Sequence, residues 1–318
     1  MNKLTKIFVG VDVSKDHLDI HLFPLSKSFR VQNTDAGLKK LTKELSLHEN
    51  IECIAFESTG GYESKMARTL QKAEYQTWLI DPVCIKSFIR SEGIKAKTDM
   101  IDAKMIALFA SQKKRKYVPK PLSDDHIELR ALVKRKEALT KMIAEEKRRL
   151  VHPLQTVTCR LSITDMIQIL EQQKSKIDRM ITKAIASNNE WGRRAEIMRS
   201  IPGVGEVTAA VLVSYMPELG SVDHKKIAAL MGVAPYSKES GYHKGKASIY
   251  AGRFAPRLPL YMATLTGVRC NPVLKEFYTR LRNAGKPAKV ALVAAMRKLL
   301  SIINAMLRDQ IPWKTASC

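Results

Sequence analysis

The chain has 318 residues, 45% of them hydrophobic and 27% charged, with a formal net charge of +23 at pH 7, as expected of a globular protein with room for two domains. Its five scattered cysteines form no CxxC pair, which argues against a disulfide framework or a zinc site and favours a reducing cytoplasm. No apolar run reaches the roughly 18 residues needed to span a bilayer, and the N-terminus lacks the apolar core of a signal peptide.

The first 110 residues are close to neutral, with 16 Lys and Arg against 14 Asp and Glu. Their apolar runs predict three strands in an antiparallel meander, followed by alternating helices and strands. The predicted order βββαβαβα rests on the segments "KIFVGVDVS", "LDIHLF", "SFRVQN", "TDAGLKKLTKELSL", "IECIAFES", "GGYESKMARTLQKA", "YQTWLID" and "KAKTDMIDAKMIALFA". We therefore expect an α/β unit in which strands one and four lie side by side and the last helix packs across them.

The charge changes sharply after this unit, because residues 111–318 carry 38 Lys and Arg against 17 Asp and Glu. A basic segment with two prolines, "KKRKYVPKPLSDD", marks the boundary near residues 112–122. Polyphosphate is the natural partner of such a surface, since binding it releases condensed counterions. A basic but merely soluble protein is the plain alternative. An anionic membrane surface is disfavoured, because no basic amphipathic segment carries large aromatic residues on its apolar face.

Two long helices are predicted next, over about 124–150 and 162–187, with a break at His152-Pro153. Their apolar residues recur near heptad spacing, which favours an antiparallel helical hairpin or a coiled coil with another chain. The basic clusters at 134–136 and 147–149 suit either a solvated face or a track for nucleic acid.

The last third, about 191–318, is predicted to be helical with one long loop, and two further helices finish the chain. The "IPGVG" segment at 201–205 stands before an apolar helix and predicts the hairpin of a helix-hairpin-helix. Gly203 and Gly205 would let backbone N–H groups approach a phosphate there. A plain tight turn between two helices is the alternative.

The long loop, "SKESGYHKGKASIYAGR", places a possible nucleophile among cations. Ser240, directly before a glycine, could attack a phosphodiester while the cations stabilise the developing charge. Ser237 and Ser248 are rivals by composition, and loops of this kind commonly only bind phosphate. The nearby basic residues are Lys238, His243, Lys244, Lys246 and Arg253, and of these we expect Lys244, Lys246 and Arg253 to contact nucleic acid.

Four acidic residues are candidates for a functional site because of where they lie. Asp12 lies inside an apolar strand and Glu57 ends another, while Asp99 and Asp102 lie about one helical turn apart. The predicted topology would bring all four together. Like charges a few Å apart repel strongly in a partly buried site, and such a group of acids persists when a divalent cation neutralises it. Oxygen ligands favour Mg²⁺ or Mn²⁺, and a pair of such ions commonly assists phosphoryl transfer on nucleic acid.

Two other interpretations of these acids stay open at this point. Asp99 could be a helix N-cap and Asp102 a first-turn residue favoured by the helix dipole. A sugar-kinase-like or actin-like ATPase also begins with "GVD" on its first strand, but it needs a second phosphate loop and usually a second copy of the fold, and the sequence offers neither.

Five motifs follow one another along the chain: "GVDVSK", "FESTGGYE", "KTDMIDA", "IPGVG" and "GVAPYSKESGYHKGK…AGR". Together they resemble the DEDD-type transposases of the insertion-sequence one-ten family. The resemblance spans essentially the whole chain. It implies a RuvC-like, RNase H-fold domain with a mixed five-stranded sheet over 1–115, a coiled-coil helical hairpin over 120–190 and a transposase domain over 191–318. The family's four acidic positions fall on Asp12, Glu57, Asp99 and Asp102, and its catalytic serine falls on Ser240.

The resemblance further implies a recombinase guided by a structured RNA made by the element itself, which pairs with donor and target DNA. Ser240 would cleave a strand and form a 5′-phosphoserine link, assisted by a metal-bound carboxylate site. Family members act as tetramers with composite sites, so the helical hairpin is the expected dimerisation element. The bacterial cytoplasm, at the nucleoid, is the expected location, with no membrane partner.

Two other functions compete with this expectation. A RuvC-type junction nuclease would use metal-activated water and would not need Ser240. A non-catalytic nucleic-acid scaffold would tolerate loss of Asp12, but it has no need for four acids in this arrangement. The C-terminal third, which a simple junction nuclease lacks, favours the recombinase.

Overall fold

The computed structural model describes residues 5–93, 99–113, 123–153, 156–236 and 248–314, together with the backbone of 239–240 and 243–244. These residues fall into two compact units, Met1–Pro121 and Leu122–Cys318. Much of the predicted boundary segment, residues 114–122, lies outside the described residues. The finer division into three domains stays a prediction.

The first unit is built on a five-stranded mixed sheet whose spatial order is β3-β2-β1-β4-β5. The strands β1, β2 and β3 form the predicted antiparallel meander, while β1, β4 and β5 run parallel. The elements of this unit are β1 (Ile7–Val13), β2 (His17–Phe23), β3 (Lys27–Gln32), α1 (Asp35–Leu45), β4 (Ile51–Glu57), α2 (Glu63–Lys72), β5 (Thr77–Ile80), α3 (Pro82–Ser91) and α4 (Asp99–Gln112). This arrangement confirms the α/β architecture and is consistent with an RNase H-like domain.

The two faces of this sheet are covered by different helices. On one face, Leu18, Ile20 and Leu22 of β2 join the buried leucines of α1 in one core cluster. Thr34 caps α1 by accepting a hydrogen bond from the Gly37 N–H, which fixes where the helix begins. On the other face, Ile106 and Ala110 of α4 join a second cluster with Ala55 of β4.

The helix α3 was not predicted from the sequence. It begins where the Asp81 side chain accepts a hydrogen bond from the Val83 N–H at 2.8 Å, with Pro82 at the first helical position. Because this helix is only ten residues long and follows β5 directly, the strand and helix signals merge in the sequence.

The second unit is mostly helical, as expected. Its long helices α5 (Asp124–Leu150) and α6 (Val157–Ser187) pack against each other, so the predicted helical hairpin is present, with α6 starting five residues earlier than expected. The remaining helices are α7 (Asn189–Arg199), α8 (Glu206–Tyr215), α9 (His224–Met231), α10 (Arg257–Cys270), α11 (Pro272–Asn283) and α12 (Ala288–Asp309). Three helices, and not two, therefore finish the chain.

The long loop of the second unit contains short strands that the sequence did not predict. Two strands of two residues each, β6 (Pro235–Tyr236) and β9 (Ser248–Ile249), pair at the base of the loop. Between them, β7 (Glu239–Ser240) pairs with β8 (His243–Lys244). Such short pairs carry no alternation that a sequence pattern could show.

The helix α12 corrects one sequence expectation. With 22 residues it is long and apolar enough, by length and composition alone, to cross a membrane. Half of its most apolar stretch is buried within the unit, and Leu299, Leu300 and Ile303 belong to the main core cluster. Its apolar character is thus explained by core packing.

Candidate active site

A row of charged residues crosses the sheet of the first unit. Asp12 on β1 lies opposite Asp19 on β2, and Asp19 lies opposite Arg30 on β3. On the other side of β1, Val11 is level with Phe56 of β4, so Glu57 follows at the level of Asp12. Side chains in register on neighbouring strands share one face, and the row therefore places three acids and one arginine side by side.

The helix α4 crosses this face because Gly10 allows it. A Cβ at Gly10 would lie 2.1 Å from the Ala103 carbonyl oxygen and 2.4 Å from the Ala107 nitrogen, so the helix backbone rests directly on the strand. Asp12 lies two residues beyond Gly10 on the same face, and Asp99 lies one turn before Ala103. The close contact therefore brings the first turn of α4, with Asp99 and Asp102, toward Asp12.

The electrostatics agree with this convergence. The pKa of Asp12 is raised from 3.8 to about 6, first by partial burial and then by the negative charges of Asp102, Asp99, Glu57 and Asp19. Every carboxylate that the sequence singled out thus acts on Asp12. Part of the Asp12 population is consequently protonated near neutral pH, unless a cation enters the cluster.

Arg30 is the cation that the described structure places in this cluster. Its Nε and Nη2 donate hydrogen bonds of 2.9 Å to the two carboxylate oxygens of Asp19, and Nη2 also lies 3.3 Å from Oδ2 of Asp99. Asp19 is 3% exposed. Arg30 thereby satisfies a buried acid and links the third strand to the start of α4.

The loop after Glu57 is held by side chains that the sequence analysis did not count as part of the site. The buried Glu63 accepts hydrogen bonds from the backbone N–H groups of Thr59 and Gly61, at 3.1 and 2.9 Å. The Asn33 amide donates to the carbonyl oxygens of Ser14 and Tyr62. These contacts tie the ends of β1, β3 and β4 into one frame around the acidic cluster.

The acidic cluster fits a hard divalent cation in its donor chemistry. All donors are carboxylate oxygens, and their mutual repulsion, visible in the raised pKa of Asp12, is what a bound cation would relieve. Among the residues that the structure describes, no three acidic, histidine or cysteine side chains stand close enough to form a ready-made metal cluster. A metal set of Asp12, Glu57, Asp99 and Asp102 therefore stays a prediction.

The predicted nucleophile lies in the second unit. Ser240 is on β7, where its backbone pairs with that of His243, and Glu239 pairs with Lys244. Lys246 lies outside the described residues. The roles of Ser240, Lys244 and Lys246 are thus predictions that the described backbone leaves open.

The other predicted nucleic-acid contacts have defined surroundings. Arg253 donates to both carboxylate oxygens of Glu218, at 2.6 and 2.5 Å, and to the Tyr215 carbonyl oxygen at 2.7 Å. Glu218 is 6% exposed, so this pair anchors the end of α8. A contact of Arg253 with nucleic acid stays a prediction. The same guanidinium would then have to hold Glu218 and bind the nucleic acid.

The "IPGVG" segment joins α7 to α8 as expected. Gly203 has φ +100°, and a Cβ there would lie 2.7 Å from the backbone of Gly267, so its role includes close packing against α10. Gly205 is the N-cap of α8, and a Cβ there would meet no atom within 4 Å. Of the two glycines, Gly205 leaves the start of α8 open to a ligand.

Sequence comparisons identify the family of the chain. Residues 9–158 match a transposase family, the DEDD transposases of IS110 elements, and residues 195–279 match the transposase IS116/IS110/IS902 family. The pilin gene-inverting proteins of Moraxella bovis and Moraxella lacunata are each 26% identical over 98% of both chains. An uncharacterized 42 kDa protein of insertion element IS900, from Mycobacterium paratuberculosis, is 29% identical over 51% of this chain and 40% of its own. With both units matched in order, the chain belongs to the IS110 family of transposases, enzymes that recombine DNA.

Proposed function

We propose that this transposase is guided by a structured RNA encoded by its own element, and that it cuts and rejoins donor and target DNA through a 5′-phosphoserine intermediate on Ser240. The observation that supports the proposal is the placement of Asp12 and Glu57 at one level of the sheet, with the first turn of α4 packed beside them, and the raised pKa of Asp12 agrees with this placement. Four carboxylates brought together, two on the sheet and two on the first turn of α4, are costly without a catalytic use. Ser240, within a loop rich in Lys, would supply the nucleophile that the carboxylates cannot.

In the proposed cleavage, the Oγ of Ser240 attacks the phosphorus and the bond to the 3′ oxygen breaks. The 5′ phosphate stays esterified to the serine, and the proton lost from Oγ is balanced by the proton gained at the 3′ oxygen. Rejoining reverses the step with a different 3′-hydroxyl. The phosphodiester count is conserved, so no external energy source is needed.

The carboxylate site would support this step from the first unit. Asp12, Glu57, Asp99 and Asp102 would hold Mg²⁺ or Mn²⁺, which supplies Lewis-acid stabilisation of charge that develops on the phosphate. Arg30, bonded to Asp19 and Asp99, would keep the first turn of α4 in place. Lys244, Lys246 and Gly205 would bind the phosphate backbone.

The assembly is proposed on the same basis. The 1–115 unit, the 120–190 helical hairpin and the 191–318 unit would act as three domains, with the hairpin joining two chains and dimers assembling into a tetramer. The strongly basic residues after 110 would bind guide RNA and DNA. The proposed location is the bacterial nucleoid.

A denaturing gel tests the chemistry. The full chain is incubated with DNA from the ends of its element, Mg²⁺ and the RNA transcribed from the element's flanking non-coding region. We expect a protein–DNA adduct that survives SDS, and we expect Ser240→Ala and Asp102→Ala each to abolish it. Cleaved DNA that carries no protein and is unaffected by Ser240→Ala would instead establish a metal-dependent junction nuclease that activates water.

Guidance by RNA has its own test. Recombination between donor and target should require the RNA, and exchanging the RNA's pairing segments should redirect the reaction to the matching DNA. Recombination at an unchanged rate without the RNA would contradict guidance while leaving the serine chemistry intact. In the adduct assay, Ser237→Ala is the matched control for Ser240→Ala, because Ser237 lies in the same loop and its replacement should leave the adduct in place.

A further inference from the structure

Two exposed aromatic side chains, Tyr250 and Phe254, lie at the C-terminal end of the long loop that contains Ser240 (residues 237–253, the serine loop). Tyr250, directly after β9, is 53% exposed, and Phe254, four residues further along the chain, is 79% exposed. The Tyr250 ring lies 4.4 Å from the ring of Tyr236, which precedes the loop on β6. Large aromatic side chains are usually at least partly buried, so two exposed rings on one short segment point to a ligand.

One face of the Phe254 ring is already covered by a cation. The guanidinium carbon of Arg257 lies over the ring, 5.5 Å from its centroid. The Nη2 of Arg257 donates a hydrogen bond of 2.8 Å to the Ala251 carbonyl oxygen, which fixes the guanidinium plane. Because Phe254 is mostly exposed, its other face is open to solvent.

This aromatic surface stands on a rigid base. A Cβ at Gly252 would lie 2.3 Å from the Gly232 nitrogen, so the two backbone segments touch. The Arg253 N–H donates to the Leu230 carbonyl oxygen at 2.8 Å, and its side chain is bonded to Glu218. The backbone directly before Phe254 is therefore anchored, which limits the ordering of the backbone that a bound ligand must impose.

The charge of the chain segment that carries Phe254 indicates the class of ligand. Residues 248–314 contain twelve Lys and Arg and only two Asp and Glu. A protein partner with an apolar face would gain little from this charge, whereas a polyanion with flat apolar groups matches both features. Nucleic acid has that chemistry, and only an unpaired base presents its face to a side chain.

We propose that Phe254, backed by Arg257, is a stacking platform for an unpaired base of the DNA substrate, next to the serine loop. Strand exchange must separate paired bases, and a platform beside the loop would hold one released base. The proposal rests on the DNA-recombining activity of the family and not on serine chemistry. The stacking contact would not depend on the base sequence of the DNA, since every base has a π face.

A photochemical crosslink gives the first test. Single-stranded DNA that carries 5-iodouracil is bound to the full chain, irradiated, and the attachment site is mapped by mass spectrometry. Stacking predicts a crosslink at Phe254. A crosslink that forms at Phe254 with single-stranded RNA but not with DNA would overturn the assignment to DNA.

Affinity measurements with matched variants give the second test. Phe254→Leu keeps an apolar side chain but removes the ring, and it should weaken binding of single-stranded DNA about tenfold while duplex binding is unchanged. Phe254→Trp should restore the affinity. Phe277→Leu is the control, because Phe277 also has an arginine over its ring, Arg280 at 5.3 Å, but lies on α11 and is less exposed.

The charge contribution is separable from stacking. Phe254→Leu should leave the salt dependence of binding unaltered, whereas Arg257→Gln should reduce its slope because it removes a cation. If Phe254→Leu binds single-stranded DNA as tightly as the wild type, the platform does not exist. These binding measurements require no cleavage, so failure of the serine mechanism would not affect this result.

Discussion

Arg30 on β3 holds the buried Asp19 on β2 through two parallel hydrogen bonds of 2.9 Å, in the same cross-strand row as Asp12. The same guanidinium reaches Oδ2 of Asp99 at 3.3 Å. One arginine thus neutralises an acid that is out of water and fixes another at the start of α4. This pair lies beside the predicted carboxylate site, although the sequence does not predict Arg30 or Asp19 as a site residue.

Replacing Arg30 is expected to destabilise the first unit. Arg30→Gln would leave the Asp19 carboxylate buried without its cation, and an uncompensated buried charge is strongly unfavourable. We expect the melting temperature to fall by several degrees in scanning calorimetry. Asp19→Asn combined with Arg30→Gln should recover part of that loss, because the double variant buries no charge.

Lys65→Gln is the matched control for this experiment. Lys65 pairs with Asp35 at 2.9 Å, but both side chains are more than half exposed, and pairs of this kind contribute little to stability. The variant should melt like the wild type. If Arg30→Gln were equally neutral, Arg30 would have no role in holding the site.

The raised pKa of Asp12 makes a prediction with an unusual sign. A folded-state pKa of about 6, above the unfolded value of 3.8, means that ionised Asp12 opposes folding at neutral pH and that protonation relieves the cost as pH falls through 6. Asp12→Asn should therefore stabilise the metal-free protein at pH 7, by about 1–2 kcal/mol after allowance for partial exposure. Urea unfolding at pH 7 and at pH 4.5 measures this gain, which should shrink at the lower pH.

The same variant should lose its response to metal. Addition of Mg²⁺ should raise the melting temperature of the wild type, because the cation neutralises the cluster, and should have little effect on Asp12→Asn. DNA cleavage should be lost in the variant despite its greater stability. An active Asp12→Asn protein would contradict the placement of Asp12 at the centre of the site.

The sequence predicts all five strands of the sheet but not the ion pair that lies beside Asp12. Alternation in "LDIHLF" correctly assigns Leu18, Ile20 and Leu22 to one buried face. It cannot tell whether the opposite face is covered as well, and α4 buries Asp19 and His21 on that face. The pairing of Asp19 with Arg30 therefore becomes visible only when the register of β2 and β3 is known.

Other parts of the site were beyond sequence patterns for a different reason. Glu63 appears in sequence as an ordinary surface or capping acid, yet it is 8% exposed and binds two backbone N–H groups of the loop after Glu57. Its role depends on the positive φ values of Gly60 and Gly61, which fold the loop back toward the helix start. Local conformations of this kind follow from tertiary packing and not from hydrophobic periodicity.

Gly10 should tolerate no side chain. In Gly10→Ala the new Cβ would overlap backbone atoms of Ala103 and Ala107, so α4 must move away from β1. We expect a loss of about 3 kcal/mol in the free energy of unfolding, measured in urea, together with weaker Mn²⁺ binding because the first turn of α4 moves away from Asp12.

Gly192→Ala provides the contrast. Gly192 lies inside α7, and the nearest atom to a Cβ there is the Ile185 carbonyl oxygen at 3.6 Å. Alanine should be accommodated and should stabilise the helix by about 0.5–1 kcal/mol. Equal behaviour of the two glycine variants would show that α4 does not rest on β1 through Gly10.

The buried His126 should make the second unit sensitive to acid. Its ring nitrogen Nε2 donates a hydrogen bond of 2.9 Å to the Ser214 carbonyl oxygen, and its ring packs edge-on against Trp191 with centroids 5.2 Å apart. Burial lowers the pKa of His126 below 6.5; the Ser214 carbonyl and Glu218 oppose this shift, while the charges of Arg130 and Arg194 add to it. The unfolded chain therefore binds a proton at His126 more readily than the folded chain does.

The sign of the pH dependence follows from this difference. The contribution of neutral His126 is fully present above pH 6.5 and is lost as the pH falls below that value, with a slope that cannot exceed about 1.4 kcal/mol per pH unit for one proton. His126→Gln keeps a donor for Ser214 but cannot titrate, so the stability of the variant should approach that of the wild type between pH 7.5 and pH 5.5. A constant gap between His126→Gln and the wild type across this range would mean that His126 is not held neutral by the fold.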